Sequence, residues 1–149
     1  MTQSTQAARR FATVLLVDRR GWVLLQERDE HAPIDPERWG LVGGHVENGE
    51  DVEAAVHREL AEETGLEAGP GQLTGALTLW RDFTVHESVD TMWVFAGATT
   101  ATDEDVVCGE GRQIVFVEPS AIAGLPLSEA AAVVVPLFLD SPEYASLVR

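Results

Sequence analysis

Three glutamates, Glu59, Glu62 and Glu63, stand three and four positions apart in one short stretch. On a helix, at about 100° per residue, that spacing gathers their carboxylates within an arc of roughly 100°. Val52, Ala55, Val56 and Leu66 fall in or near the same arc. A solvated acidic face would not share its azimuth with apolar residues above and below. The spacing therefore directs the carboxylates along the buried side, into a cleft, where unpaired negative charge is costly. Residues 44–67 hold eight acids and a single base, Arg58. Such a group calls for cations, and hard oxygen donors favour Mg²⁺ or Mn²⁺ over zinc.

The residues ahead of this stretch suit the same chemistry. Gly43-Gly44 permits unusual dihedrals and a close backbone approach to a ligand, and a peptide carbonyl there can complete a coordination sphere. A plain Gly-Gly turn is the alternative. Glu50 lies about half a turn round from the Glu59, Glu62 and Glu63 stripe, which makes it an anchor for the loop rather than a ligand.

These side chains need a helix and a scaffold. Asp51 to Thr64 reads as that helix, with Asp51 as its cap and Gly65 closing it. Before it, Phe11–Val17 and Trp22–Gln26 are apolar runs around Asp18-Arg19-Arg20-Gly21, the pattern of a β-hairpin. Arg28–Arg38 is a charged loop with Pro33 and Pro36, and Trp39–Val42 is a short strand leading into the glycine pair. After the helix, strands are expected at Leu73–Leu79, Phe83–His86, Thr91–Ala96 and Ile114–Val117. Ala101–Gly111 is an acidic loop, Pro119–Ala123 a short helix and Ser128–Leu139 a longer one. The order implies an α/β (α+β) sandwich in which helices cover a mixed sheet. Residues 1–10 read as a flexible terminus and residues 11–149 as a single domain.

Composition narrows the partners. The 149 residues carry 25 acids against 10 bases, all of them Arg, for a net charge of −15. A surface this acidic does not grip a nucleic-acid polymer and is repelled by anionic membranes. Phosphates would have to be met through bound cations. One cysteine, Cys108, excludes an intramolecular disulfide. No apolar run approaches the roughly 18–20 residues of a membrane span, and the first ten residues lack the apolar stretch of a secretory signal. A cytoplasmic location is the expectation.

Taken together, residues 44–66 resemble the Nudix box, G-x5-E-x7-R-E-U-x-E-E-x-G-U with U aliphatic. Gly44, Glu50, Arg58-Glu59-Leu60, Glu62-Glu63 and Gly65-Leu66 fill every fixed position. One departure is Val42, where relatives commonly place Pro. The resemblance implies a Nudix-type α/β/α sandwich and hydrolysis of a nucleoside diphosphate linked to another moiety. It maps Glu59, Glu62 and Glu63 to metal-binding glutamates and the Gly43 carbonyl to a further ligand. It assigns Arg58 and Glu50 to orienting the catalytic helix and loop, with Gly44 and Gly65 as structural positions. Carboxylate-held metal suits the reaction, because phosphoanhydride cleavage needs neutralised oxygens, a placed water and a stabilised leaving group.

The general base is open between Glu59 and Glu110, the latter between two glycines in Gly109-Glu110-Gly111, with Glu87 and Asp90 as weaker alternatives. For substrate contacts the candidates are Arg28 at a strand end, Trp39 as a stacking or core residue, and Arg81 beside Trp80. His31, His45, His57 and His86 show no spacing of a metal or triad site. A nucleoside triphosphate (normal or oxidised) and a nucleotide sugar stay open as substrates. A Nudix-fold nucleotide-binding or regulatory module without hydrolysis is the alternative function. The apolar helix at Ala130–Leu139 serves either a core or a homodimer contact.

Overall fold

A computed structural model describes residues 8–67, 73–85 and 90–148. Its elements are β1 (Arg10–Val17), β2 (Val23–Glu27), β3 (Trp39–Gly40), β4 (Val42–His45), α1 (Val52–Thr64), β5 (Leu73–Val85), β6 (Asp90–Thr99), β7 (Gln113–Val117), α2 (Pro119–Ile122), α3 (Glu129–Leu139) and α4 (Pro142–Leu147). Among the described residues seven strands join one mixed sheet. β1 and β6 are parallel, from Arg10 opposite Thr91 to Val17 opposite Ala98, and the other pairings are antiparallel.

The strict alternation of β1 feeds two cores. Ala12, Val14 and Leu16 pack with Ala55, Val56 and Leu60 of α1. Phe11, Leu15 and Val17 pack with Met92 and Val94 of β6 and with Val134 and Phe138 of α3. Helices therefore cover both faces of a mixed sheet, the α+β arrangement expected from the order of elements. No helix among the described residues is long and apolar enough to cross a membrane.

The other edge of β1 is shared, and this creates the cleft. The tight turn at Asp18–Trp22 does bring β2 back against β1, but only Val17 and Val23 pair. The expected hairpin then opens. β4 takes the rest of that edge, from Phe11 opposite His45 to Val14 opposite Val42, while β2 departs to pair with β7 and β3. A wedge is left between the two branches.

Other expectations also shift. Trp39–Val42 is interrupted at Leu41, and the second piece runs through Gly43-Gly44 to His45 as β4. The strands expected at Leu73–Leu79 and Phe83–His86 are one long β5, which absorbs two irregularities against β6. His86 lies outside the described residues. The helix at Ser128–Leu139 has Ser128 as its cap and carries Pro136 inside, and α4 follows it unforeseen. Its face of Ala131, Val134, Val135 and Phe138 is buried in the core, while Val133 and Leu137 on its other side are exposed.

Helix α1 begins and ends as its sequence requires. The Asp51 carboxylate accepts from the Glu53 and Ala54 N–H groups, and Gly65 closes the helix at φ 75°. Because this helix carries the glutamates, its cap matters to the site. Asp51→Ala should lower stability by about 1 kcal/mol, a loss of about 2–4 °C in Tm for a chain of this size. Thermal melts of the two proteins check it.

Candidate active site

The wedge holds a cleft of about 410 Å³. Gly43, Gly44, Glu59 and Glu63 line one part of it, and Arg28 and Glu110 border the same space.

Arg58 organises the acidic side. Its Nε lies 2.7 Å from one Glu50 oxygen and its Nη2 2.9 Å from the other. Nη1 reaches Glu59 at 3.0 Å and Glu62 at 3.2 Å, and Nη2 also donates to the His45 carbonyl at 3.0 Å. The rigid fork of donors is thus spent on three glutamates and the end of β4. Glu50 in turn accepts the Glu47 N–H at 2.9 Å, closing the loop ahead of the helix. Hydrogen bonds from Arg58, with the Glu47 N–H second, hold the Glu50 carboxyl down at about 2. Its hydrogen bonds to Glu50 and then to Glu59 raise the Arg58 guanidinium above its ordinary value.

Glu63 has no such partner. It is 7% exposed, and one oxygen accepts the Gly43 N–H at 3.2 Å. Burial, with the Glu59 and Glu110 charges adding to it, pushes its carboxyl from an ordinary 4.5 to about 8. Burial also raises Glu59, while Arg58 pulls it back. The glycines permit this packing. A Cβ on Gly44 would sit 2.5 Å from the Glu59 carboxyl carbon, and Gly43, at φ 147°, leaves no room for one against Ala12 and Thr13.

Glu110 is delivered from the opposite side by a loop that also finishes the helix. The Val107 and Gly109 N–H groups bind the Thr64 and Glu63 carbonyls at 2.9 and 2.8 Å, satisfying acceptors that a helix end leaves open. Across the cleft the Gln26 amide donates to the Glu110 carbonyl at 2.9 Å, and the Arg112 N–H to the Glu27 carbonyl at 2.8 Å. Arg28 donates to the Ile34 carbonyl at 3.1 Å. Burial lowers its pKa, against the opposing pull of Asp35, Glu63 and Glu110.

The structure brings Gly43, Gly44, Glu59, Glu63, Glu110 and Arg28 to one cleft, with Arg58 and Glu50 behind it. Other expected site residues lie elsewhere. The Glu62 side chain is 59% exposed and rests on Arg58, so two of the three helix glutamates face the cleft rather than all three. Trp39 is buried in the core under α3, where β3 places it, and does not line the cleft. Arg81 is exposed over Trp80, 5.1 Å from that ring, and is likewise absent from the cleft. Asp90 is buried in an ion pair with Arg9 at 2.8 Å. Glu87 lies outside the described residues. Gly65 acts as the helix cap. Thr13 and Gln26 were not singled out, yet both line the cleft. Their signal was a polar residue interrupting an otherwise apolar strand.

Among the described residues no three acidic, imidazole or thiol side chains stand close enough together to form a closed metal cage. The donor set nevertheless fits a hard cation that keeps part of its water. Two carboxylates and a glycine-rich backbone meet at a buried point, and one carboxylate there is strongly disfavoured as an anion.

The NUDIX domain profile matches residues 7–138, and the chain belongs to the Nudix family. It is 47% identical over 53 residues to an RNA pyrophosphohydrolase of Caulobacter vibrioides, covering 36% of this chain and 30% of that protein. It is 40% identical over 50 residues to the nucleoside triphosphatase NudI of Salmonella agona, covering 34% and 36%. The chain thus spans about a third of the length of the curated relatives it matches. A MutT protein structure from Methanosarcina mazei superimposes with a TM-score of 0.65 at 27% identity, over 86% of this chain and 89% of that one.

The Glu63 carboxyl gives a pH dependence with a definite sign. Its raised folded value means that stability is fullest below about 4.5 and falls as pH rises through about 8. Glu63→Gln keeps an acceptor for the Gly43 N–H and removes the charge. In EDTA at pH 9 it should melt a few degrees above the wild type, by about 2–4 °C per kcal/mol relieved, with the gap closing towards pH 5. Melts across that range test it, and parallel curves for the two proteins would contradict it.

Proposed function

We propose that the protein hydrolyses a phosphoanhydride bond in a nucleoside diphosphate linked to another moiety, in a divalent-metal-dependent reaction. The observation that carries this reading is the Glu59 and Glu63 pair at Gly43-Gly44, facing Arg28 and Glu110 across one cleft. Glu59, Glu63 and the Gly43 backbone would hold Mg²⁺ or Mn²⁺, and Glu62 would join from the rim by turning off Arg58. When bound, the ion supplies neutralisation of phosphate oxygens and a lowered pKa for attacking water.

The chain's own groups do the rest. Arg28, half-buried and already surrounded by carboxylates, binds a phosphate oxygen that would otherwise be repelled by them. Arg58 keeps Glu59 and α1 in register with β4. Glu110 and Glu59, which both line the cleft, are the two candidates for accepting the proton of an attacking water. Glu110 is favoured because Arg58 leaves it uncommitted, while Glu59 is tied down. The relatives' names fit a substrate with a nucleoside polyphosphate end, and a nucleoside triphosphate is placed ahead of a nucleotide sugar.

Phosphate and pyrophosphate release from a panel of nucleoside triphosphates and nucleotide sugars, with and without Mg²⁺, tests this directly. Glu63→Gln should reduce turnover by about 100-fold or more with the fold retained by circular dichroism. Glu110→Gln should lower kcat with little change in KM. Metal-independent release, or full activity in Glu63→Gln, would overturn the reading.

A further inference from the structure

Beside the glycine pair the cleft is walled by groups of another kind. Phe11 and His45 meet there with ring centroids 4.6 Å apart and planes tilted by 43°, and Leu41, Met92 and Ala130 add apolar lining. Thr13 lies among them, in the β1 row of Phe11, Leu15 and Val17 that faces α3. It is 5% exposed and lines the cleft. Its Oγ1 is buried and has no hydrogen-bond partner among the described residues.

Such an orphan is uncommon, because a buried hydroxyl left unpaired is destabilising. The strand offers it nothing. On one side Thr13 pairs with Gly43, which has no side chain, and on the other with Val94, which has no polar one. Ser128, which also lines the cleft, accepts the Ala131 N–H on its Oγ, and no bond joins it to Thr13. Valine has the same shape as threonine and the same preference for a strand, so neither packing nor propensity calls for the hydroxyl. Its partner has to come from the cleft.

We propose that Thr13 is a specificity-determining residue, whose hydroxyl hydrogen-bonds the polar edge of an aromatic heterocycle in a bound nucleotide. An apolar lining from Phe11, Leu41, Met92 and Ala130, with an unpartnered hydroxyl buried behind it, suits such a ring, while the phosphates would lie towards Arg28, Glu59 and Glu63. This rests on the nucleotide reading above for the placement of the phosphate end. A rotation about χ1 exchanges the hydroxyl and the methyl at the wall without moving the backbone.

The test compares the wild type with Thr13→Val and Thr13→Ser. Binding of adenosine, guanosine, cytidine and uridine 5′-monophosphates and of inorganic pyrophosphate is measured by calorimetry in millimolar Mg²⁺, alongside thermal melts. Thr13→Val should melt at or above the wild-type temperature and weaken the best-bound monophosphate about 5- to 10-fold. Pyrophosphate affinity should not change, and Thr13→Ser should stay within about twofold of the wild type. A lower melting temperature with unchanged nucleotide affinity would overturn the proposal, as would equal weakening of pyrophosphate. So would a wild type that binds no monophosphate better than pyrophosphate. Base-dependent binding without any hydrolysis defeats the hydrolytic reading and leaves Thr13 its role. Hydrolysis with Thr13→Val binding unchanged defeats the role of Thr13 alone.

Discussion

Everything at this site follows from the difficulty of keeping several carboxylates together in a confined place. Arg58 solves most of it. One guanidinium reaches Glu50, Glu59 and Glu62 and ties them to the His45 carbonyl, so the loop, the helix and β4 are fixed by the same cation. Lysine would not replace it, because a point charge cannot satisfy three carboxylates and a carbonyl in one plane. Glu63 is left outside this arrangement, buried with a single N–H for company. That residual cost is the physical reason to expect a cation at the site, and the glycine pair is the steric condition for bringing the carboxylates so close to the backbone.

The fold supplies the space. A sheet edge occupied by one partner leaves no opening, whereas β1 gives its edge first to β4 and then to β2. The cleft between those branches is bridged by the loop of Val107 to Arg112, which binds the end of α1 on one side and β2 on the other. Glu110 therefore stands opposite the helix glutamates through backbone hydrogen bonds rather than through its own side chain. The net charge of −15 takes on a local meaning here, since part of it is concentrated where a cation would convert repulsion of phosphate into attraction.

Much of the helix was legible in the sequence, because capping and period are local properties. Asp51, Gly65 and the apolar positions Ala55, Val56 and Leu60 behave as their pattern implies. Glu62 was harder. Its azimuth is close to that of Glu59 and Glu63, and only the position of the Arg58 guanidinium, a tertiary matter, decides that it stays at the rim. Trp39 carried no periodic signal to separate stacking from core, and the backbone contacts with Pro126 and Leu127 that fix it there come from 87 and 88 positions away. The forked edge of β1 was equally invisible. A turn predicts a hairpin, yet how far the two strands stay paired depends on β4 and β7, which compete for them. Thr13 and Gln26 were visible as polar interruptions of apolar strands, but the reason for them appears only when the cleft is seen.

If burial makes Glu63 depend on a cation, its carboxyl must hold its proton near neutral pH in the metal-free protein. Titration of the Glu63 side-chain carboxyl by ¹³C NMR in metal-free protein tests it most directly. A midpoint near 8 is expected, moving lower when Mg²⁺ is added. A midpoint near 4.5 that ignores Mg²⁺ would show that Glu63 needs no cation.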